Sequence, residues 1–401
     1  MQYQSLTKLY YISPDEVARE YEKRFESPSA IHLPIEIKQY HRVKSYPAFF
    51  IYHNEMALIL DEFYKNYEEF LYLVHSVPPV VKQQFALLSI LDEVKSTNDI
   101  EGVHSTRKEI REILDGNSNH SSRLKSVVNK YLDLLDANKE IPFDDCQDIR
   151  NFFDEFAHDE IIQDNPAHKL DGRLFRKDPV EIESAVGKVI HQGLFPEEEI
   201  IRAMGISLNI LHSPELPILI RLAVFHYFFA YIHPFYDGNG RTDRFITSYY
   251  LGQHFHRLLA LRFSIYVKKN RSTYYKLLAE VDSELNHGDL TPFIIGFLKI
   301  LTGSIRDTIV VLTRKQDQLE IYEKKIQHLG LRDPLLQEIY FILLQAALFY
   351  GQGITMAELM KVTKKNRGTI QKRINEIPME QLLVSKINKT KYYKLNFMMF
   401  K

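Results

Sequence analysis

The stretch "YIHPFYDGNGRTDR", Tyr231 to Arg244, decides how the rest of the chain is read. It follows "PELPILIRLAVFHYFFAYI", 214–232, a run apolar on nearly every face and so a central buried helix in which His226 is structural. It leads into "RTDRFITSYYLGQHF", where apolar residues recur at helical spacing. The stretch is therefore a loop between two helices, with Gly238 and Gly240 at the start of the second. Free backbone N–H groups and the positive end of the macrodipole make such a start an anion site, and glycine lets a phosphate come close. Arg241 and Arg244, three residues apart, lie on one helix face and can grip one polyanion. Asp237 would repel those phosphates unless it holds Mg²⁺. His233, at the end of the buried helix, can take a proton near neutral pH. Together these parts describe phosphoryl or nucleotidyl transfer.

The whole chain sets the frame for that site. Its 401 residues, 45% hydrophobic and 12% aromatic, are enough for two or three domains with large cores. Lysine and arginine total 51 against 52 acids, so any nucleic-acid surface must be local. The lone Cys146 rules out an intramolecular disulfide and a multi-cysteine metal site, as expected in a reducing compartment. The beginning, "MQYQSLTKLYYISPDE", does not have the layout of a secretory signal, and no apolar run reaches membrane-spanning length; the expectation is a cytoplasmic protein with no membrane partner.

Helical periodicity dominates and strand-like alternation is sparse. Helical pieces are expected over 13–75, beginning with a capping box of Ser13 and Glu16, and Pro78–Pro79 break the chain. The next helix, from Val81, stops at Gly102; "STRKEIREILDG" follows with Thr106 and Glu109 as a capping box and Gly116 as terminator. "NSNHSS", 117–122, reads as a polar surface loop. Short β-prone pieces with glycine and proline over 170–200 read as a small hairpin.

"HPFYDGNGRTDR" matches, position for position, the HPFx(D/E)GNGRxxR signature of the Fic family, and the chain resembles that family over roughly residues 80 to 300. The resemblance implies a mainly α fold: an all-helical Fic core with a small β-hairpin flap. It implies ATP- and Mg²⁺-dependent transfer of AMP to a Tyr, Ser or Thr hydroxyl of a protein, self-modification included. On this sequence His233 would be the general base and Asp237 the Mg²⁺ ligand. Phe235, Gly238, Asn239, Gly240 and Arg241 would hold the nucleotide, with Arg244 on the γ-phosphate and Asn270 near adenine and ribose. Tyr274 and Tyr275, beside Asn270, are expected in the core.

"TNDIEG", Thr97 to Gly102, resembles the (S/T)xxxE(G/N) pattern of the family's inhibitory helix. Thr97 and Glu101 share a helix face, and a carboxylate paired with Arg244 competes with the γ-phosphate. Autoinhibition by Glu101 is the expectation, with removal of AMP as a further role. The hairpin near 170–200 resembles the flap on which a protein target docks by strand addition.

The C-terminal seventy residues read differently. "TMAELMKVTKKNRGTIQKRINEI" gives a helix, a tight turn and a basic second helix, and "LLVSKINKTKYYKLN" alternates like a two-stranded wing with its tip at Asn388–Lys391. This is the order of a winged helix-turn-helix, open to either DNA or a docked protein. The expected organisation is an N-terminal helical region at 1–80, a Fic core at 81–303 that includes the inhibitory helix at 81–102, a connecting helix at 304–330 and the winged unit at 331–401. A homodimer is a further expected partner. The alternatives to AMP transfer are transfer of another phosphate-containing group, or a DNA-binding transcriptional regulator whose core serves as a sensor.

Overall fold

The computed structural model describes residues 2–77, 79–116, 123–183, 187, 189–349, 353–387 and 390–400. The loop expected at 117–122, and Asn388 and Lys389 of the expected wing tip, lie outside them. The described chain is mainly helical with three small antiparallel sheets. It divides into two compact units, one of Met1–Tyr67 with Ile90–Arg306, the other of Glu68–Ser89 with Asp307–Lys401. Among the described residues no helix is long and apolar enough to cross a membrane.

In the first unit the centre is the helix Ile218–Ile232, packed against Glu197–His212 and Asn239–His254. Its uniform apolarity is explained by burial on all sides: Phe225, Phe228, Phe229 and Ile232 are fully enclosed. Removing one such phenylalanine ring would cost about 3–5 kcal/mol, so this helix is a rigid base for the loop at its C-terminus. Asn239–His254 is equally enclosed, although it carries two arginines.

The helical pieces expected over 13–75 are present at Val17–Phe25 and Asn54–Ser76, but a hairpin that was not expected lies between them. Ala30–Lys38 pairs antiparallel with Ser45–Ile51, because Leu33, Ile35 and Ile37 alternate inward while polar residues alternate outward. The register shifts between His32 and Glu36, the segment holding Pro34, which has no N–H for the ladder. The capping box expected at Ser13 is also absent: Ser13 makes no side-chain cap bond, whereas Ser5 caps the first helix. Thr106 and Glu109 form their capping box in full, and Gly102 and Gly116 take positive φ at their helix ends. A short hairpin, Glu181–Glu183 with Val189–Gln192, stands where the flap was expected. One helix runs unbroken from Thr291 to Gln327.

The second unit has its own core, including Ile339, Leu343, Leu359, Ile370, Ile374, Tyr393 and Leu395. Around it are the helices Pro334–Phe349, Met356–Thr363 and Arg367–Ile374 and a sheet in the order Ile354–Thr355, Thr390–Leu395, Leu382–Ile387. Lys364, in the left-handed conformation with φ 55°, reverses the chain between the last two helices.

Candidate active site

The buried helix Ile218–Ile232 ends because His233 turns left-handed, with φ 53° and ψ 63°. For a residue with a Cβ this conformation costs about 1–2 kcal/mol and persists only when neighbours hold it. Arg176 holds it. Fully buried, its guanidinium donates to the carbonyl oxygens of His233 at 2.9 Å, Leu194 at 2.8 Å and Asp178 at 2.6 Å. Among the described residues it has no carboxylate partner, and burial pushes it down to about 10. Gly193 makes room for this clamp, since a Cβ there would sit 2.4 Å from Arg176 Nη2 and 2.9 Å from His233 Cβ.

The imidazole of His233 has Nδ1 at 3.4 Å from the carbonyl oxygen of Ala230. An acceptor there favours the tautomer with hydrogen on Nδ1, leaving the Nε2 lone pair for a proton. Burial, reinforced by the charges of His191 and Arg176, pushes His233 down to about 3 against the pull of the Ala230 carbonyl. The ring is neutral at pH 7.

Past His233 the chain is tacked to the core by Phe235, fully buried and stacked on Phe153 with ring centres 3.7 Å apart. Phe235 was expected among the nucleotide contacts; its ring instead anchors the loop. The side chain of Asn239 closes the turn, accepting from Phe235 N at 2.9 Å and donating to Phe235 O at 2.8 Å. Gly238 is left-handed, with φ 79°, and the first helical bond runs from Thr242 N to Gly238 O at 3.0 Å. The amides of Asn239, Gly240 and Arg241 precede that bond and form the helix's donor-rich end.

Asp237 is the exposed acid of the loop, its side chain 45% accessible, with Oδ2 3.6 Å from His168 Nδ1. Among the described residues no group of three or more His, Cys, Asp or Glu side chains is arranged around a metal ion. A single exposed carboxylate beside an anion cradle nevertheless fits Mg²⁺, which is commonly held by one or two carboxylates plus substrate phosphates.

The two arginines have different partners. Arg241 donates to Glu160 at 2.6 Å, both side chains 2% exposed. Arg244 meets Glu101 at 2.7 Å and also donates to the Thr97 hydroxyl at 3.0 Å and the Thr97 carbonyl at 3.2 Å. Burial works against the charge of Arg244, but Glu101, Tyr274 and Tyr275 together outweigh it and hold the guanidinium above its ordinary value. A Cβ on Gly240 would lie 2.3 Å from Glu101 Oε1, so glycine is what admits the acid. Thr97 sits in the last turn of the helix Pro79–Ile100, and Glu101 lies just beyond it. Gly102, with φ 74°, and the bond from Val103 N to Asn98 O at 2.9 Å close the helix end. That helix is pinned by Glu93, fully buried, which accepts from Ser264 N at 2.7 Å and Ile265 N at 3.2 Å; burial pushes its carboxyl up to about 7.

The structure thus gathers Thr97, Glu101, Gly240 and Arg244, and separately His233 through Asn239. It does not bring Asn270 to the motif: Asn270 donates to Tyr266 O at 3.0 Å and lines a cavity of about 340 Å³ whose walls include none of residues 233–244. Tyr274 is buried and meets His226 at 2.7 Å, and His226 also contacts Thr247 at 2.9 Å and Asp243 at 3.0 Å, so both ring nitrogens have partners in the core. Sequence reasoning missed Glu160, Arg176 and His168. Each reaches the motif from more than fifty residues upstream, and no local pattern marks them.

A match to the Fic/DOC family covers residues 155–251. The protein adenylyltransferase Fic of Nematostella vectensis is 38% identical over 86 residues, 21% of this chain and 17% of the relative. That of Drosophila virilis is 37% identical over 87 residues, 22% of this chain and 16% of the relative. The matches thus span about a sixth of those relatives. A crystal structure of a Fic family protein from Desulfovibrio desulfuricans G20 aligns with a TM-score of 0.53 at 17% identity, over 86% of this chain and 97% of that one, a likeness of fold. The loop from His233 to Arg244 lies inside the segment, residues 155–251, that is similar to the Fic/DOC family.

Proposed function

We propose that this protein transfers AMP from ATP to a hydroxyl side chain of a protein and is held at rest by Glu101. The observation that carries this reading is the juxtaposition, on one rigid helix-loop-helix, of a neutral histidine with an open Nε2 and a helix start whose amides and Arg244 suit a triphosphate. The names of the two relatives support the choice of AMP.

In this mechanism the donor-rich start of the helix Asn239–His254 and Arg244 bind the phosphates and fix the α-phosphorus in line with the incoming hydroxyl. His233 Nε2 takes the hydroxyl proton as its oxygen bonds to the α-phosphorus, and the bond to the bridging oxygen breaks to release pyrophosphate. Mg²⁺, held by Asp237 and the phosphates, would neutralise charge on the leaving group. The hairpin Glu181–Glu183 with Val189–Gln192 is the docking edge for the target segment, which the Arg176 clamp connects to His233. Glu101 occupies the guanidinium that the γ-phosphate needs, so ATP binds misaligned until the acid leaves.

Incubation with Mg²⁺ and ATP labelled at either the α- or the γ-phosphate tests the reading. Label carried to protein from the α position alone, with the mass of one AMP on a Tyr, Ser or Thr, is expected. Transfer of the γ label, or none even in Glu101→Gly, would sink it.

A further inference from the structure

The second unit concentrates positive charge that the AMP-transfer reading does not use. From Lys361 to Lys394 the sequence has ten lysines and arginines against only Glu376 and Glu380, in a chain whose net charge is −1. A segment this basic within a balanced protein is a local electrostatic footprint.

The fold sets these charges on one supersecondary unit. Helix Met356–Thr363 and helix Arg367–Ile374 are joined through left-handed Lys364, and the hairpin Leu382–Ile387 with Thr390–Leu395 follows. Ile370 and Ile374 bury one side of the second helix in the core. At 100° per residue, Gly368 and Lys372 then occupy the opposite side, flanked by Gln371 and Asn375. Lys364, Lys365, Arg367, Lys372, Lys386 and Lys391 are all exposed, and among the described residues none of them has an ion-pair partner. Arg373 is different: it pairs with Asp333, and with Glu376 at 3.0 Å, and so serves the fold.

Gln371 Nε2 donates to Asn375 Oδ1 at 2.9 Å, which sets two side-chain amides in a row on the exposed surface. Amides of this kind pair with adenine edges in the major groove, while lysines and arginines around them neutralise phosphates. Gly368 adds no side chain to the outward surface, and its Cβ position meets nothing nearer than 3.6 Å.

We propose that this face binds duplex DNA, with the helix Arg367–Ile374 in the major groove and the hairpin lysines on the backbone. Lys364, Lys365, Arg367 and Lys372 contact phosphates around the groove, Gln371 and Asn375 face base edges, and Lys386 and Lys391 reach the neighbouring backbone.

The test uses the full chain and a labelled duplex of mixed sequence, followed by fluorescence anisotropy between 50 and 200 mM NaCl. With about four to six phosphates neutralised, log K should fall against log salt with a slope near −4 to −5, a loss of more than a hundredfold across that range. Lys372→Glu, Lys386→Glu and the pair Lys364→Glu with Lys365→Glu should each weaken binding and flatten the slope by about one per contact removed. Lys125→Glu, an exposed reversal in the other unit, should change nothing. Circular dichroism and retained AMP transfer establish that each variant is folded, and single Lys→Gln changes replace any that is not. No binding at 50 mM salt, equal loss from Lys125→Glu, or affinity indifferent to the reversals overturns the proposal. A protein captured by this face from the same cells without any DNA affinity overturns it too.

Discussion

The carbonyl oxygen of His233 accepts from the guanidinium of Arg176 at 2.9 Å, and the same guanidinium holds the carbonyl of Leu194, just past the hairpin Glu181–Glu183 with Val189–Gln192, at 2.8 Å. One buried cation therefore sets both the left-handed backbone of the histidine and the base of the hairpin. Arg176→Met keeps the volume but strands these carbonyls. Transfer should fall about a hundredfold in kcat, as expected of a misplacement near 1 Å, with little change in KM for ATP. A cation that pushes His233 down is also lost, so the imidazole protonates at higher pH and the acid limb of kcat/KM should move upward. Arg176→Lys should restore part of the rate. A kcat within threefold of wild type with an unmoved limb would remove the clamp from the mechanism.

His233→Ala should abolish transfer and leave ATP binding nearly intact, because the imidazole acts on the hydroxyl and not on the nucleotide. In the unaltered protein His233 is pushed down to about 3, and a base works only when unprotonated. The kcat/KM profile should therefore show no decline near pH 6.5. A decline at that pH would contradict the neutral imidazole.

Glu101→Gly should raise the transfer rate on the order of ten- to a hundredfold, the equivalent of a charged contact worth roughly 1.5–3 kcal/mol. Arg244→Ala should be slow with or without Glu101, since both changes act through one guanidinium and their effects do not add. Following loss of AMP from preformed target separately shows whether Glu101 also serves removal. Unchanged rates in both directions would reduce "TNDIEG" to a helix end.

Removing one partner of the buried pair between Glu160 and Arg241 leaves a charge without compensation. Glu160→Ala should destabilise the protein by about 3–5 kcal/mol in urea denaturation, while Glu160→Met with Arg241→Met should recover most of that stability and still bind nucleotide poorly. Equal stability of the single and double variants would mean that the stranded Arg241 charge carries no cost.

Glu93 gives a pH dependence of the opposite kind. Its carboxyl is pushed up to about 7 by burial, so between its unfolded value and 7 the folded state binds more protons than the unfolded one, and stability falls as pH rises through that window. Thermal melting should drop between pH 5 and pH 8 in the unaltered protein and drop less in Glu93→Gln. A parallel decline in both would assign the effect elsewhere.

The twelve residues from His233 to Arg244 could be read directly because loop, helix start and charges are contiguous there, and "TNDIEG" because Thr97 and Glu101 are one turn apart. Glu160, Arg176 and His168 could not, since their relation to the loop is created by packing across distant segments. The hairpin Ala30–Lys38 with Ser45–Ile51 was hidden by Pro34 and Pro47, which argue locally against a strand although the alternation of Leu33, Ile35 and Ile37 is plain once the partner is known. The burial of Phe235 and the cavity that Asn270 lines are likewise products of packing across distant segments, which no local pattern marks.

The pair between Arg244 and Glu101 is lopsided, 1% exposed on the arginine side and 27% on the acid side. Arg244 is also tethered twice to Thr97, whereas Glu101 stands past the last helical residue in a turn closed by Gly102. When the two separate, the acid is the member that travels. It lies past the last residue of the helix Pro79–Ile100, so its side chain can turn away without unwinding that helix. Under the proposed inhibition, Glu101 and a phosphate would compete for one guanidinium, and the concentration of that competitor would set the position of the latch.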